Sequence, residues 1–268
     1  MWPIWEYASP RPYPYGVAEF VAMTVLGVIY VTIMITIGGL FIRYAKNSGK
    51  RELNYLGYSI LIVGICDVFH AIGDVLFYLT NDSRVPINLN GITLYYYPTA
   101  TCLSTFGILL AYTLFYLFGA IQTKQQFTLF DRITIALGLI GIGFGINPYN
   151  WWHMVPPENS IVTIPITGIF LLVMGSLATG SLYRYYKLKL VPELKDELRE
   201  QRRLRFVLLG VGFLGALVVL MILHAVFAVM EIKLLMLIVT YLKILSIIAS
   251  VTFLYIGIAS PKLIDFKI

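Results

Sequence analysis

Charged residues are scarce in this sequence. Of its 268 residues only 13% are Asp, Glu, Lys or Arg, whereas 59% are hydrophobic, and the mean hydropathy is +0.80. An ordinary soluble domain carries about 25% charged residues. A single buried core could not hide so much apolar surface, so most of it is expected to face lipid or neighbouring helices. The composition therefore excludes an ordinary soluble domain and predicts an integral membrane protein.

Cysteine and histidine are also rare. The two cysteines, Cys66 and Cys102, both lie in hydrophobic runs, so the sequence has no Cys-x-x-Cys metal knuckle and gives no reason to expect a disulfide. The three histidines show neither the HExxH nor the HxxxH spacing of membrane hydrolases, and no Ser/His/Asp order is specific enough to indicate a nucleophile. We therefore expect a protein that is not an enzyme and has no catalytic residues.

What the sequence has instead is long apolar runs. A spanning helix needs about 20 mostly apolar residues, and these runs are continuous rather than alternating, which excludes barrel strands. The pattern predicts an all-α bundle of seven transmembrane helices, of which the fourth is the shortest. The predicted spans are Val17–Ile42, Leu53–Leu79, Ile92–Ile121, Ile133–Ile146, Ile161–Tyr183, Phe206–Val229 and Leu234–Ile258.

The distribution of positive charge predicts the orientation of these helices. With the N-terminus outside, sixteen of the 20 Lys and Arg residues fall in cytoplasmic segments, and eight of those lie in residues 184–205. Cytoplasmic loops are rich in Lys and Arg, so we expect an outer N-terminus and a cytoplasmic C-terminus in the cell membrane. Residues 1–16 form an aromatic and Pro-rich outer leader, residues 17–260 the membrane domain, and residues 261–268 a short tail. The basic charge is explained by topology and does not indicate nucleic-acid binding.

A few ionisable residues lie inside the predicted helices. A charge there costs at least about 2.5–3.5 kcal/mol on insertion scales, so each one points to a function. Asp67, His70 and Asp74 lie on one face of the second helix. Counting along the axes places His70 and His224 at one depth, so we expect a polar, outward-facing pocket where the second and sixth helices meet. Lys243 in the seventh helix is expected to pair with Asp67 or to extend into a polar cavity.

Several uses of that pocket stay open at this point. His70 and His224 could hold a b-type haem between them, or a metal ion together with Asp67. The same groups could instead form only an interhelical hydrogen-bond cluster, and no cofactor is the simplest expectation. Lys243 resembles the retinal-binding lysine of rhodopsins because it lies in the last of seven helices. The third helix, however, has no acid to serve as its counter-ion.

Two segments resemble a known family. Leu254-Tyr255-Ile256-Gly257-Ile258-Ala259-Ser260-Pro261-Lys262-Leu263, at the end of the seventh helix, and Phe69-His70-Ala71-Ile72-Gly73-Asp74 in the second, are similar to the seven-helix membrane sensor modules of prokaryotic histidine kinases. The resemblance implies a seven-helix fold and a sensory role. No kinase domain is present on this chain.

We therefore expect a sensor-like membrane subunit that couples its pocket to protein partners on the cytoplasmic side. Basic residues of the 184–205 segment are the candidates for docking those partners, namely Lys195, Arg199, Arg202 and Arg203. Membrane lipids are the other expected partners. Two alternatives stay open: a channel or translocation subunit of a multi-protein machine such as an archaeal DNA-import apparatus, and the haem- or metal-binding electron-transfer subunit.

Overall fold

The computed structural model describes residues 16–82, 86–89, 92–123, 126–146, 157–194, 198–230 and 232–259. The predicted leader, apart from Gly16, and the predicted tail lie outside this part of the chain. Seven long helices are described, together with one antiparallel hairpin of strands β1 (Pro86–Leu89) and β2 (Ile92–Tyr95). The helices are α1 (Val17–Ser48), α2 (Leu53–Thr80), α3 (Tyr96–Thr123), α4 (Leu129–Ile146), α5 (Pro157–Tyr185), α6 (Leu198–Val229) and α7 (Lys233–Ile258).

Six of the described helices, all but α4, are long and apolar enough to cross a membrane. This confirms the prediction of a helical bundle and indicates a multi-pass membrane protein. A seventh span at α4 and the orientation of the termini stay predictions. The turn after α1 fits the sequence, since Gly49 follows the last helical residue and adopts the left-handed conformation that favours glycine.

Six helices form a closed ring. Along it α1 packs on α2, α2 on α3, α3 on α5, α5 on α6, α6 on α7, and α7 returns to α1, while α4 packs outside the ring against α3 and α5. Helix α1 packs closely on α2 at glycines, and α6 packs closely on α7 in the same way. A β-carbon added at Gly38 would lie 2.7 Å from the backbone nitrogen of Leu61, and one at Gly257 would lie 2.9 Å from that of Val207. These two pairs are therefore close-packed units.

The start of the third helix was predicted wrongly. Residues 92–95, expected as its first turn, form strand β2, and the helix begins at Tyr96. Leu89 pairs with Ile92, so two residues, Asn90 and Gly91, connect the strands. Asn-Gly between β-branched and aromatic residues is the strongest local hairpin signal. The all-α prediction therefore holds for the bundle but not for this connection.

Helices α5 and α6 both extend into the segment 184–205. Helix α5 continues through a π-helical turn, Tyr186–Leu190, into Val191–Leu194, which includes Pro192. Helix α6 begins at Leu198, eight residues before the predicted start at Phe206. Both helices therefore project beyond the predicted cytoplasmic end of the bundle.

Helix α4 is held to the ring by a buried carboxylate. Asp131 is fully buried, and its Oδ1 accepts a hydrogen bond from the Tyr116 hydroxyl on α3 at 2.6 Å. Its Oδ2 accepts one from the backbone N–H of Thr128 at 2.8 Å, while the Thr128 hydroxyl oxygen accepts one from the Asp131 N–H at 3.3 Å. This reciprocal arrangement is a capping box with Asp in the acidic position. The Asp131 side chain thus caps the N-terminal end of α4 and attaches this helix to α3.

We expect Asp131→Ala to destabilise the protein by about 2–4 kcal/mol, because it leaves the Tyr116 hydroxyl and the Thr128 N–H without their acceptor. Thermal unfolding of the purified protein in detergent measures the effect. Arg132→Ala is the matched control, since Arg132 is the next residue and is exposed. Equal stability of the two variants would contradict this role of Asp131.

Candidate functional site: a cavity between the helices

A cavity of about 680 Å³ lies inside the ring of helices. It is lined by residues of α1, α2, α3, α6 and α7, and its walls are mostly apolar. On α2 the lining extends from Ser59 to Leu76, which corresponds to about 25 Å along the helix axis. A volume between about 300 and 1,000 Å³ with apolar walls and few polar groups is typical of a small-molecule site.

Asp67 is the polar centre of the cavity wall. Its Oδ2 accepts a hydrogen bond from the Tyr30 hydroxyl on α1 at 2.6 Å, and its Oδ1 accepts one from the Ser104 hydroxyl on α3 at 2.5 Å. All three residues line the cavity. Helix α2 carries Asp67 between α1 and α3, so one carboxylate joins three consecutive helices. Both oxygens thus have a donor from within the bundle.

His70 and Asp74 follow Asp67 on the same face of α2, as predicted. The His70 Nε2 lies 3.7 Å from the Asp74 Oδ2, and both residues line the cavity. They are about one-third exposed, at 33% and 31%. The spacing of four residues brings the side chains together on one side of a helix. This pair therefore continues the polar face of α2 toward the Thr80 end.

Lys243 enters the same cavity from α7. The predicted ion pair with Asp67 is not formed, because that carboxylate accepts the hydroxyls of Tyr30 and Ser104. Within the described ranges no carboxylate lies within ion-pairing distance of the Lys243 ammonium. The cavity therefore has acidic residues on the α2 wall and an ammonium on the α7 wall.

His224 lies apart from His70. Helix α2 is flanked by α1 and α3, and α6 by α5 and α7, so the predicted contact between the second and sixth helices is replaced by the cavity between them. The His224 Nδ1 lies 3.4 Å from the hydroxyl of Thr240 on α7, which itself lines the cavity. Among the described residues no three His, Cys, Asp or Glu side chains come together as a metal-binding group.

Of the predicted docking residues, Arg203 has a structural role. Its Nε donates to the Gly257 carbonyl at 3.1 Å and its Nη2 to the Ile258 carbonyl at 3.4 Å, at the C-terminal end of α7. A cation there satisfies the last carbonyls of a helix and complements its dipole. Arg202 is exposed. Lys195 and the side chain of Arg199 lie outside the described residues.

Tyr30 and Ser104 were not predicted. A tyrosine or serine in an apolar run costs little and gives no signal of its own, so only their position opposite Asp67 reveals them. Apart from the residues of α2, most of the residues that line the cavity belong to their helices, α1 and α3. A search for hydroxyls at the depth of Asp67 on the first and third helices would have found both.

No known family model, no curated protein and no solved structure matches this chain.

Proposed function

We propose that this chain is the ligand-binding membrane subunit of a sensory system in the cell membrane, with seven spanning helices and a cytoplasmic C-terminus. A ligand would bind in the cavity between the helices, and the cytoplasmic ends of α6 and α7 would pass the change to protein partners. The observation that carries the proposal is one cavity with ionisable residues on two opposite walls, Asp67 on α2 and Lys243 on α7.

The packing around the cavity supports a coupling role. The pairs α1–α2 and α6–α7 are close-packed at glycines, and the cavity lies between them. A ligand that fills this space acts on the separation of two rigid pairs, a common basis of conformational switching. Arg203 binds the end of α7 from α6, so both helices would move together at the end of the bundle predicted to be cytoplasmic.

The resemblance of the segments 69–74 and 254–263 to sensor modules of histidine kinases points the same way. The 254–263 segment includes Gly257, where α7 meets α6 and receives Arg203. In this proposal the output depends on separate proteins that dock at Arg202 and the other basic residues of the 184–205 segment. The channel and the haem- or metal-binding alternatives stay predictions. The absorption spectrum of the purified protein tests for haem, and its metal content tests for a bound metal ion.

Gly27→Leu tests whether the cavity is the input site. Gly27 lines the cavity, and a β-carbon added there meets nothing within 4 Å, so the leucine would occupy the cavity without a clash at its base. We expect the variant to abolish the response to a total lipid extract of the host membrane. The measurement is the distance between spin labels at positions 46 and 202, near the predicted cytoplasmic ends of α1 and α6.

Gly39→Leu is the matched control for this experiment. Gly39 is on the same helix, is exposed, and also has open space at its β-carbon, but it does not line the cavity. The control is expected to respond like the wild type. If Gly27→Leu and Gly39→Leu respond equally, or if the wild type shows no change in label distance, the cavity is not a sensory input.

A further inference from the structure

The cavity opens sideways at membrane depth. Val28, Thr32 and Ile72 line it and are also among the exposed residues of α1 and α2, as expected at the rim of an opening. Val28 is about 16 Å from the start of α1, and Ile72 is about 12 Å from the end of α2, by the rise of 1.5 Å per residue. Surface at that depth faces hydrocarbon in a spanning bundle. A ligand can therefore enter from the bilayer without passing through water.

Several polar side chains of the cavity already have partners within the protein. Asp67 accepts two hydroxyls, the Thr240 hydroxyl donates to the Met236 carbonyl at 2.9 Å, and the Ser250 hydroxyl donates to the Gly210 carbonyl at 2.8 Å. Asp74 has His70 beside it. Lys243 differs, since the described residues place no carboxylate next to it. Lys243 is half-buried and lines a mostly apolar cavity, where an ammonium is costly without a partner of opposite charge, so an anionic head group fits here.

We propose that the cavity binds a long-chain monocarboxylic acid, with its carboxylate on the Lys243 ammonium and its chain along the apolar walls. This inference rests on the proposed function, because it names the ligand of the same cavity. The carboxylic acid head is favoured over a phosphate because Lys243 lies about 15 Å from the start of α7, deep in the span. A carboxylic acid can reach that depth uncharged and transfer its proton to the amine of Lys243, which forms the carboxylate–ammonium pair, whereas a phosphate carries its charge throughout.

The head group of the ligand supplies the selectivity. A hydrocarbon chain that already lies in the bilayer gains little hydrophobic free energy on entering an apolar cavity, because it leaves one apolar environment for another. Selectivity among lipids of equal chain length therefore depends on Lys243. A hydrogen bond to a charged group is worth about 1.5–3 kcal/mol, which corresponds to roughly 10- to 100-fold in affinity.

Four probes with one chain and different heads test the proposal: oleate, oleyl alcohol, oleylamine and oleyl phosphate. Equilibrium binding of each is measured to the full chain in nanodiscs of neutral lipid. We expect oleate to bind best, and Lys243→Gln to weaken oleate roughly 10- to 100-fold without changing oleyl alcohol. Lys243→Arg is expected to retain the preference for oleate. Lys46→Gln, which removes an exposed lysine at the end of α1, is expected to bind like the wild type.

The outcomes separate the ligand class from the proposed function. Equal oleate affinity of the wild type and a Lys243→Gln variant of unchanged helix content overturns the role of Lys243. Preference for oleylamine or oleyl phosphate overturns the carboxylate but leaves a ligand-binding cavity in place. If none of the four probes binds the wild type more tightly than it binds Gly27→Leu, the carboxylate proposal fails. The proposed function is then judged by the label-distance response to the lipid extract.

Discussion

Asp67→Ala is expected to lower the free energy of unfolding by about 2–4 kcal/mol, because it leaves two hydroxyl groups on two other helices without an acceptor. The Tyr30 hydroxyl donates to Asp67 from α1 and the Ser104 hydroxyl donates to it from α3. Tyr30 is only 7% exposed, so water cannot readily replace the lost partner. Denaturant or thermal unfolding in detergent micelles measures the change.

The three residues should behave as one unit. Tyr30→Phe and Ser104→Ala are each expected to cost less than Asp67→Ala, and adding either change to Asp67→Ala should cost little more. The triple variant Tyr30→Phe, Ser104→Ala, Asp67→Leu is expected to recover most of the stability, since no polar group is then left unpaired. Two results would show that the carboxylate does not join the three helices. One is strictly additive losses of unfolding free energy, and the other is a triple variant that is less stable than Asp67→Ala.

The helices were predictable because lipid permits few alternatives. A segment of about 20 apolar residues has to satisfy its backbone hydrogen bonds internally, so its helical state follows from composition alone. The ends were less predictable, because polar residues outside the apolar runs extend the helices there. Helix α6 begins at Leu198 and α5 continues past Tyr185, both in sequence too charged to read as a span. The hairpin before α3 was missed because its apolar residues merge with those of the helix.

The site was predictable in its charged residues but not in their partners. Asp67, His70 and Asp74 share a helix face, and Lys243 enters the same cavity, as the cost of charge in an apolar run suggested. Depth counting did not predict the neighbours of each helix. It placed His70 and His224 at one level, but the ring puts α2 beside α1 and α3, and α6 beside α5 and α7. Helix order around the ring is a property of packing that no single helix encodes.

Arg203 shows the same limit at the surface. Its place in a charged segment predicted a docking role, whereas its guanidinium reaches the carbonyls of Gly257 and Ile258. Arg202, one residue earlier in the helix, points elsewhere and is exposed. A charged segment can therefore contain both residues that contact another helix and residues that are exposed. Which residue does which depends on where the neighbouring helix ends.

Gly210→Leu is expected to cost about 1–3 kcal/mol of stability, because α6 and α7 touch at this residue and a side chain forces them apart. A β-carbon added at Gly210 would lie 2.8 Å from the Leu254 Cγ and 3.0 Å from both the Leu254 nitrogen and the Ser250 carbonyl oxygen. Two of these atoms are backbone and cannot rotate away. The separation would also break the hydrogen bond from the Ser250 hydroxyl to the Gly210 carbonyl.

Gly212→Leu is the matched control, since Gly212 is two residues further along α6 and a β-carbon there meets nothing within 4 Å. This change should stabilise the protein slightly, by up to about 1 kcal/mol, because leucine favours a helix over glycine. The pair of variants is compared by thermal unfolding and by the distance between labels on α6 and α7. If Gly210→Leu were as stable as Gly212→Leu, then α6 and α7 would not be a close-packed pair. In the proposed function, the effect of a ligand would then have to reach the end predicted to be cytoplasmic through each helix separately.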